Sequence, residues 1–264
     1  MALNDDQLDR YARHIVLKEI GGEGQAKLLD SAVTLVGAGG IGSPALQYLA
    51  AAGTGRLKLV DDDRVSVDNL QRQILFGTAD VGRPKVEVAG EAARRLNPDV
   101  SFTAAGERLT PANAAALLTG ADVVIDGSDN FATRLLVSDT CTAGRIPLVS
   151  AAIGMFQVQV GTWRGWEPER PCYRCFVGDA FDSDDCDNCA ELGVLGAMAG
   201  LAGSWAAMEA IRQIVGFGSE AAGKVHVFDG LAPSMRTLRI AKDPGCRTCG
   251  RPAVPRHSGE GRNP

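Results

Sequence analysis

The sequence predicts an α/β fold, a mainly parallel sheet with helices on both faces that is continued by antiparallel strands. Three observations carry this expectation. A short apolar run rich in β-branched residues, Ala32 to Val36, leads straight into the turn GAGGIG (37–42) and the helix-like SPALQYLAAAG. Strand-like and helix-like segments then alternate as far as residue 151, the order that gives parallel strands joined by crossover helices. After residue 151 the pattern changes, and Gln157 to Trp163 alternates with the period of two expected of an antiparallel strand.

Each element follows from its residues. Residues 4–18 carry the apolar spacing of an amphipathic helix, and Gly21, Gly22 and Gly24 are expected to break it. Strand, glycine turn and helix over 32–53 make a Rossmann-like start, and the second strand, Leu57 to Val60, ends in Asp61, Asp62 and Asp63 at the distance of a first βαβ unit. A polar loop runs through residue 82. Next come a helix near Lys85 to Leu96, a strand near Val100 to Ala104, a helix near 111–118 and a strand Val123 to Asp126. A helix near 131–142 and a strand Leu148 to Ala151 complete the alternation. Later, Lys224 to Phe228 and Met235 to Ile240 read as strands around a helix from Leu192 to Val215. The expected organisation is a single domain over 1–250, with a nucleotide-binding core at 30–151. The segment Gly178 to Asn188, with aspartates at 179, 182, 184, 185 and 187, has no apolar period, and the Pro-, Gly- and Arg-rich tail 251–264 reads as disordered.

Composition bounds the function. The chain of 264 residues is 45% hydrophobic and 22% charged, which suits a globular core and excludes a coiled coil or a collagen. The 27 Lys and Arg against 32 Asp and Glu give a net charge of -5 with no basic stripe, so no nucleic-acid partner is expected. The polar N-terminus lacks the apolar centre of a secretory signal, which argues for a cytoplasmic location. The apolar run from Leu192 to Ala207 is shorter than a bilayer span and interrupted by glycines, so no membrane span is expected.

Cys141 stands alone, while Cys172 and Cys175, Cys186 and Cys189, and Cys246 and Cys249 form three Cys-x-x-Cys pairs. In a reducing cytosol such pairs point to metal or to thiol chemistry. Two of them together supply the four thiolates of a closed Zn2+ site, and the spacing alone leaves three pairings open, with a redox dithiol as a further reading.

GAGGIG lets a ligand approach the backbone and aims the free N–H groups of the following helix at an anion. Asp61 stands where it can accept from ribose hydroxyls. Taken alone, these features suggest NAD. The next residues shift the reading, because Asn69, Arg72 and Gln73 in DNLQRQ and Lys85 in GRPKVE add cationic and amide donors, more than a pyrophosphate bridge requires. Asp129, in the turn DGSDN after the Val123 to Asp126 strand, adds a carboxylate suited to a phosphate-bound Mg2+. Singly, each has a plain structural reading: Asn69 as a turn residue, Lys85 as a solvated helix lysine, Asp129 as an N-cap with Asn130. Together they favour ATP.

The segments RYARHIVL, GAGGIGS, DDDRVSVDNLQRQ, GRPKVE, DGSDNFATR, PCYRC and PGCRTCG, in this order over residues 7–250, resemble the MoeB/ThiF/HesA adenylating enzymes, relatives of ubiquitin-activating enzymes. The resemblance implies that Gly40 and Asp61, with Asp63 beside it, contact the nucleoside part of ATP. It implies that Asn69, Arg72 and Lys85 hold the triphosphate with Gln73 beside them, and that Asp129 serves Mg2+ with Asn130 adjacent. Arg13 matches an arginine that reaches across a homodimer interface toward the γ-phosphate. Cys172, Cys175, Cys246 and Cys249 match zinc ligands in the part spanning 152–250, and Cys189 matches a loop cysteine that in some members forms a covalent link to the activated substrate. That substrate is a small ubiquitin-like sulfur carrier ending Gly-Gly, MoaD- or ThiS-like, used in molybdopterin or thiamine synthesis. No sulfur-transfer domain is expected after Cys249, so a separate sulfur donor is implied. Asp68 and Ala197 depart from the residues common in relatives, Ser and Pro, without removing a chemical group. The rival expectations are an NAD(P) oxidoreductase and a zinc-stabilised binding module without catalysis.

Overall fold

The computed structural model describes residues 3–178 and 193–250. In chain order the helices are α1 (Asp5–Arg10), α2 (Ala12–Ile15), α3 (Gly21–Asp30), α4 (Gly42–Ala52), α5 (Lys85–Leu96), α6 (Ala114–Leu118), α7 (Phe131–Gly144), α8 (Arg174–Val177) and α9 (Gly196–Val215). The strands are β1 (Ala32–Val36), β2 (Arg56–Val60), β3 (Ser101–Ala105), β4 (Val123–Asp126), β5 (Leu148–Gly154), β6 (Gln157–Trp163), β7 (Lys224–Asp229) and β8 (Ser234–Arg239). They form one eight-stranded sheet in the order β3-β2-β1-β4-β5-β6-β7-β8. The first five strands pair in parallel and the last three are added antiparallel, as the change of period after residue 151 suggests.

Alternation along the strands builds two cores. Val33 and Leu35 of β1 and Val123 and Ile125 of β4 pack with α4, α5 and α9 on one face. Val36 of β1 and Val124 of β4 face the other side, with Leu118 of α6 and Leu135, Val137 and Cys141 of α7. Helix α9, apolar along most of its length, lies against α4, β4, β5 and β6 as a core helix. Among the described residues no helix is long and apolar enough to cross a membrane.

Two local expectations are corrected. The N-terminal helix 4–18 is instead two short helices broken at Tyr11 (φ -102°, ψ 12°). The break turns the Tyr11 ring into the core, where its hydroxyl accepts from Asn97 Nδ2 at 2.7 Å. Gly21, Gly22 and Gly24 do not interrupt structure but lie within α3. At Gly24 packing overrides the low propensity: a Cβ there would stand 2.9 Å from Val215 Cγ1, so the glycine admits the end of α9. Other boundaries fall within a few residues of the expected ones.

Candidate functional site

Strands β2 and β3 lie on one side of β1 and strands β4 and β5, reached by the crossover from β3, on the other, so the strand order reverses at β1. A crevice therefore opens between the carboxyl ends of β1 and β4, the position at which open α/β sheets bind ligands. The turn from Gly37 to Gly42 lines it. Gly37 has φ +91°, and a Cβ there would meet the Gly127 carbonyl at 3.2 Å, so β1 and β4 converge at a point where only glycine fits.

Most of the expected nucleotide residues converge on this edge. Asp61 Oδ2 accepts from the Ala38 amide at 2.6 Å and Oδ1 from the Asp63 amide at 2.9 Å, which aims the carboxylate at the glycine turn. Burial raises its pKa above the ordinary carboxylate value, opposed by the Ala38 N–H and by the Lys85 charge. Lys85, only 3% exposed, donates from Nζ to Asp63 Oδ2 at 2.8 Å. Its ammonium is thus fixed beside the acidic end of β2, and it is not the solvated helix lysine of the plainer reading. Arg72 donates to the Asp68 carbonyl at 2.9 Å, and its Cγ lies 3.5 Å from where a Gly40 Cβ would be. Asn69 is buried, as is Gln73, whose Oε1 has no hydrogen-bond partner among the described residues. A buried acceptor left unpaired beside the glycine turn fits a ligand that brings its own donor.

On the β4 side, Asn130 caps α7 by accepting from the Thr133 amide at 2.8 Å, which frees Asp129 from that role. The Asp129 carboxylate is exposed and among the described residues accepts only a long bond, 3.5 Å, from Asn130 Nδ2. A carboxylate so little engaged fits a hard cation bound with phosphate oxygens.

Arg13 is not brought to this crevice. Its neighbours Tyr11 and His14 are tied to the opposite edge: Asn97, which bonds Tyr11, also donates to the Ala50 carbonyl, and His14 Nδ1 meets Gln25 Oε1 at 3.0 Å while Gln25 donates to the Ala52 carbonyl. These carbonyls end α4, at the far end of the sheet from the glycine turn, and Arg13 itself is exposed there. Cys186 and Cys189 lie outside the described residues.

Arg134, for which the sequence suggested no role, holds the Asp129 turn. It is buried and donates to the Ala151 carbonyl at 2.9 Å and to the Ser128 carbonyl, while Asp126 Oδ1 accepts from the Ser128 amide and hydroxyl. The available signal was phase: Arg134 shares the inward face of α7 with Leu135, Val137, Ser138 and Cys141.

Among the described residues, four cysteines come together in a cluster. The Sγ atoms of Cys172, Cys175, Cys246 and Cys249 all lie within 4.8 Å of one another, with contacts of 3.9, 3.6 and 3.3 Å. A tetrahedral Zn2+ with bonds of about 2.3 Å needs sulfurs about 3.8 Å apart, so the four fit that ion. Cys172 and Cys175 share a sulfur–sulfur contact of 3.9 Å, and their interaction lowers the pKa of Cys175 and raises that of Cys172. Cys141 is apart from the cluster, and burial pushes its pKa far up, as expected of an inert thiol.

The chain matches the ThiF family over residues 11–248. It is 43% identical over 254 residues to the SAMP-activating enzyme E1 of Haloferax volcanii, covering 96% of this chain and 93% of that protein. It is 42% identical over 250 residues to the molybdopterin-synthase adenylyltransferase of Escherichia coli, covering 94% and 98%. The crystal structure of E. coli MccB shares the fold, with a TM-score of 0.81 at 22% identity over 97% of this chain and 76% of that one.

Proposed function

The chain belongs to the ThiF family, and from that premise we propose that it adenylates the C-terminal Gly-Gly carboxylate of a small ubiquitin-like sulfur carrier, using ATP and releasing pyrophosphate. The observation that carries this reading is the pair of fixed cations at the crevice: Lys85 buried beside Asp61 and Asp63, and Arg72 packed against Gly40. A dinucleotide, whose pyrophosphate is met by the helix N-terminus, leaves them without a purpose, whereas a triphosphate uses both.

The carrier carboxylate attacks the α-phosphorus of ATP. A new C–O–P linkage forms, the bond from the α-phosphorus to the bridging oxygen breaks, and its electron pair leaves with pyrophosphate. The attacking group is already ionised at neutral pH, so no general base is needed, and the protein's task is to orient and to offset charge. Asp61 and Asp63 lie on the nucleoside side, with Asp61 accepting from the ribose. Arg72, Lys85, Asn69 and the amides of the Gly37 to Gly42 turn face the phosphates, while the unpaired Gln73 Oε1 would accept from a nucleoside hydroxyl or amino group. Asp129, with Asn130 adjacent, would hold Mg2+, which when bound offsets phosphate charge. Cys172, Cys175, Cys246 and Cys249 would hold a structural Zn2+ that clips the region after β6 to the turn before residue 250. Arg13 acts at the crevice of a second copy in a homodimer, and Cys189 takes part after adenylation, when a separate donor delivers sulfur.

Relatives 43% and 42% identical carry names that point to different carriers, so similarity does not select one. Exchange of labelled pyrophosphate into ATP, measured with each Gly-Gly carrier of the same genome, tests the reading. Exchange that depends on one carrier supports it. Hydride transfer to NAD(P) without exchange, or carrier binding without exchange, refutes it.

A further inference from the structure

The two cysteine pairs of the cluster are far apart in sequence, yet both lean on a single side chain that is not a cysteine. Arg174 is the third residue of the first Cys-x-x-Cys and Thr248 the third residue of the second. Arg174 Nη2 donates to Asp139 Oδ2 at 2.8 Å, the Thr248 hydroxyl donates to Asp139 Oδ1 at 2.7 Å, and Arg174 Nε donates to Thr248 Oγ1 at 3.1 Å. The three groups close a triangle. Asp139 belongs to α7, the helix that Asn130 caps and whose first turn carries Arg134.

We propose that Asp139 is a positioning residue for the four-cysteine site, gathering both knuckles onto α7 so that their thiolates face one ion. This rests on the reading of the cluster as a zinc site. The physical case has two parts. The Arg174 side chain is 3% exposed, and a buried guanidinium needs a carboxylate partner; meeting that need fixes the orientation of the peptide between Cys172 and Cys175. The Thr248 hydroxyl, donating to the same carboxylate, fixes the second knuckle at a matching position 74 residues later. Groups that orient metal ligands in this way govern how tightly the ion is held.

The test uses the full-length zinc-loaded protein and follows zinc release to a colorimetric chelator well below the melting temperature. Metal content and melting temperature are recorded for each variant. Asp139→Asn is expected to release zinc about 10–100-fold faster than the wild type. Thr248→Val, which removes one hydroxyl and keeps the volume, is expected to speed release by a smaller factor, and Thr248→Ser to restore the wild-type rate. If Asp139→Asn does not fold, the Thr248 pair decides the matter alone. Variants that melt earlier but release zinc at the wild-type rate overturn the proposal and leave Asp139 an ordinary stabilising ion pair. A wild-type protein that takes up no zinc overturns the metal reading and the proposal with it.

Discussion

Arg13 offers the sharpest check on the proposed assembly. The strands that separate it from the glycine turn are five residues long in β1 and β2. At about 3.3 Å per residue they hold the two edges of the sheet roughly 16 Å apart. An arginine side chain, built of bonds near 1.5 Å, spans roughly 7 Å. Arg13 therefore cannot serve the crevice of its own chain, and Arg13→Ala and Asp129→Ala should each abolish carrier-dependent pyrophosphate exchange. Mixing the two inactive proteins should restore it. After random exchange of subunits about half of the dimers are mixed, and in each mixed dimer one crevice has both its own Asp129 and a neighbour's Arg13, so about a quarter of wild-type activity returns. The assay is the exchange reaction on an equimolar mixture, with native mass spectrometry to confirm mixed dimers. Mixed dimers that stay inactive, or full activity of Arg13→Ala alone, would refute the reasoning.

Cys246→Ser, or removal of metal by a chelator, should lower stability by about 4 kcal/mol, because the Cys172 to Cys246 link closes a loop of 74 residues. Thermal denaturation should register this as a fall in melting temperature of roughly 10 °C, and an unchanged melting curve would contradict the clip. For Asp61 the sign is set by its raised pKa: relative to an ordinary value of 3.8, its contribution to stability is most favourable in acid and declines as pH rises through the raised folded-state value. Urea titrations of wild type and Asp61→Asn across pH should differ with that slope, and ATP binding to Asp61→Asn should lack the weakening on acidification expected of the wild type. A pH-independent difference in both measurements contradicts this account. Cys189→Ser should keep full pyrophosphate exchange and change only sulfur delivery, so loss of exchange would show that the thiol acts earlier.

What the sequence disclosed, and what it withheld, divides along the range of the interactions. The β1 strand and its glycine turn were legible because local chemistry dictates them: a β-branched run, then backbone that must pass beneath the Gly127 carbonyl. The parallel order, the antiparallel extension and Lys85 near Asp61 followed from periodicity and from motif spacing. The break at Tyr11 did not, because it depends on Asn97, 86 residues away. Helix α3 was missed for a related reason, since Gly24 is explained only by Val215 at the end of α9 packed against it. The pairing of the cysteines was implied by resemblance and not by spacing, which left three arrangements equal until the fold brought Cys172 to Cys246. Asp139 and Arg134 were hidden in the same way. Each is a charged residue on a helix whose value comes from backbone and side chains contributed by other segments.

The sheet ends at β8, Ser-Met-Arg-Thr-Leu-Arg, which is exposed along its whole length and, among the described residues, hydrogen-bonded on one side only, to β7. Such a rim is a template on which identical molecules can stack into filaments, and long charged side chains are the usual guard against it. Arg236 and Arg239 fill that office here. Their like charges make head-on approach of two such rims repulsive. Neutralising both would remove the barrier without touching a single residue of the crevice.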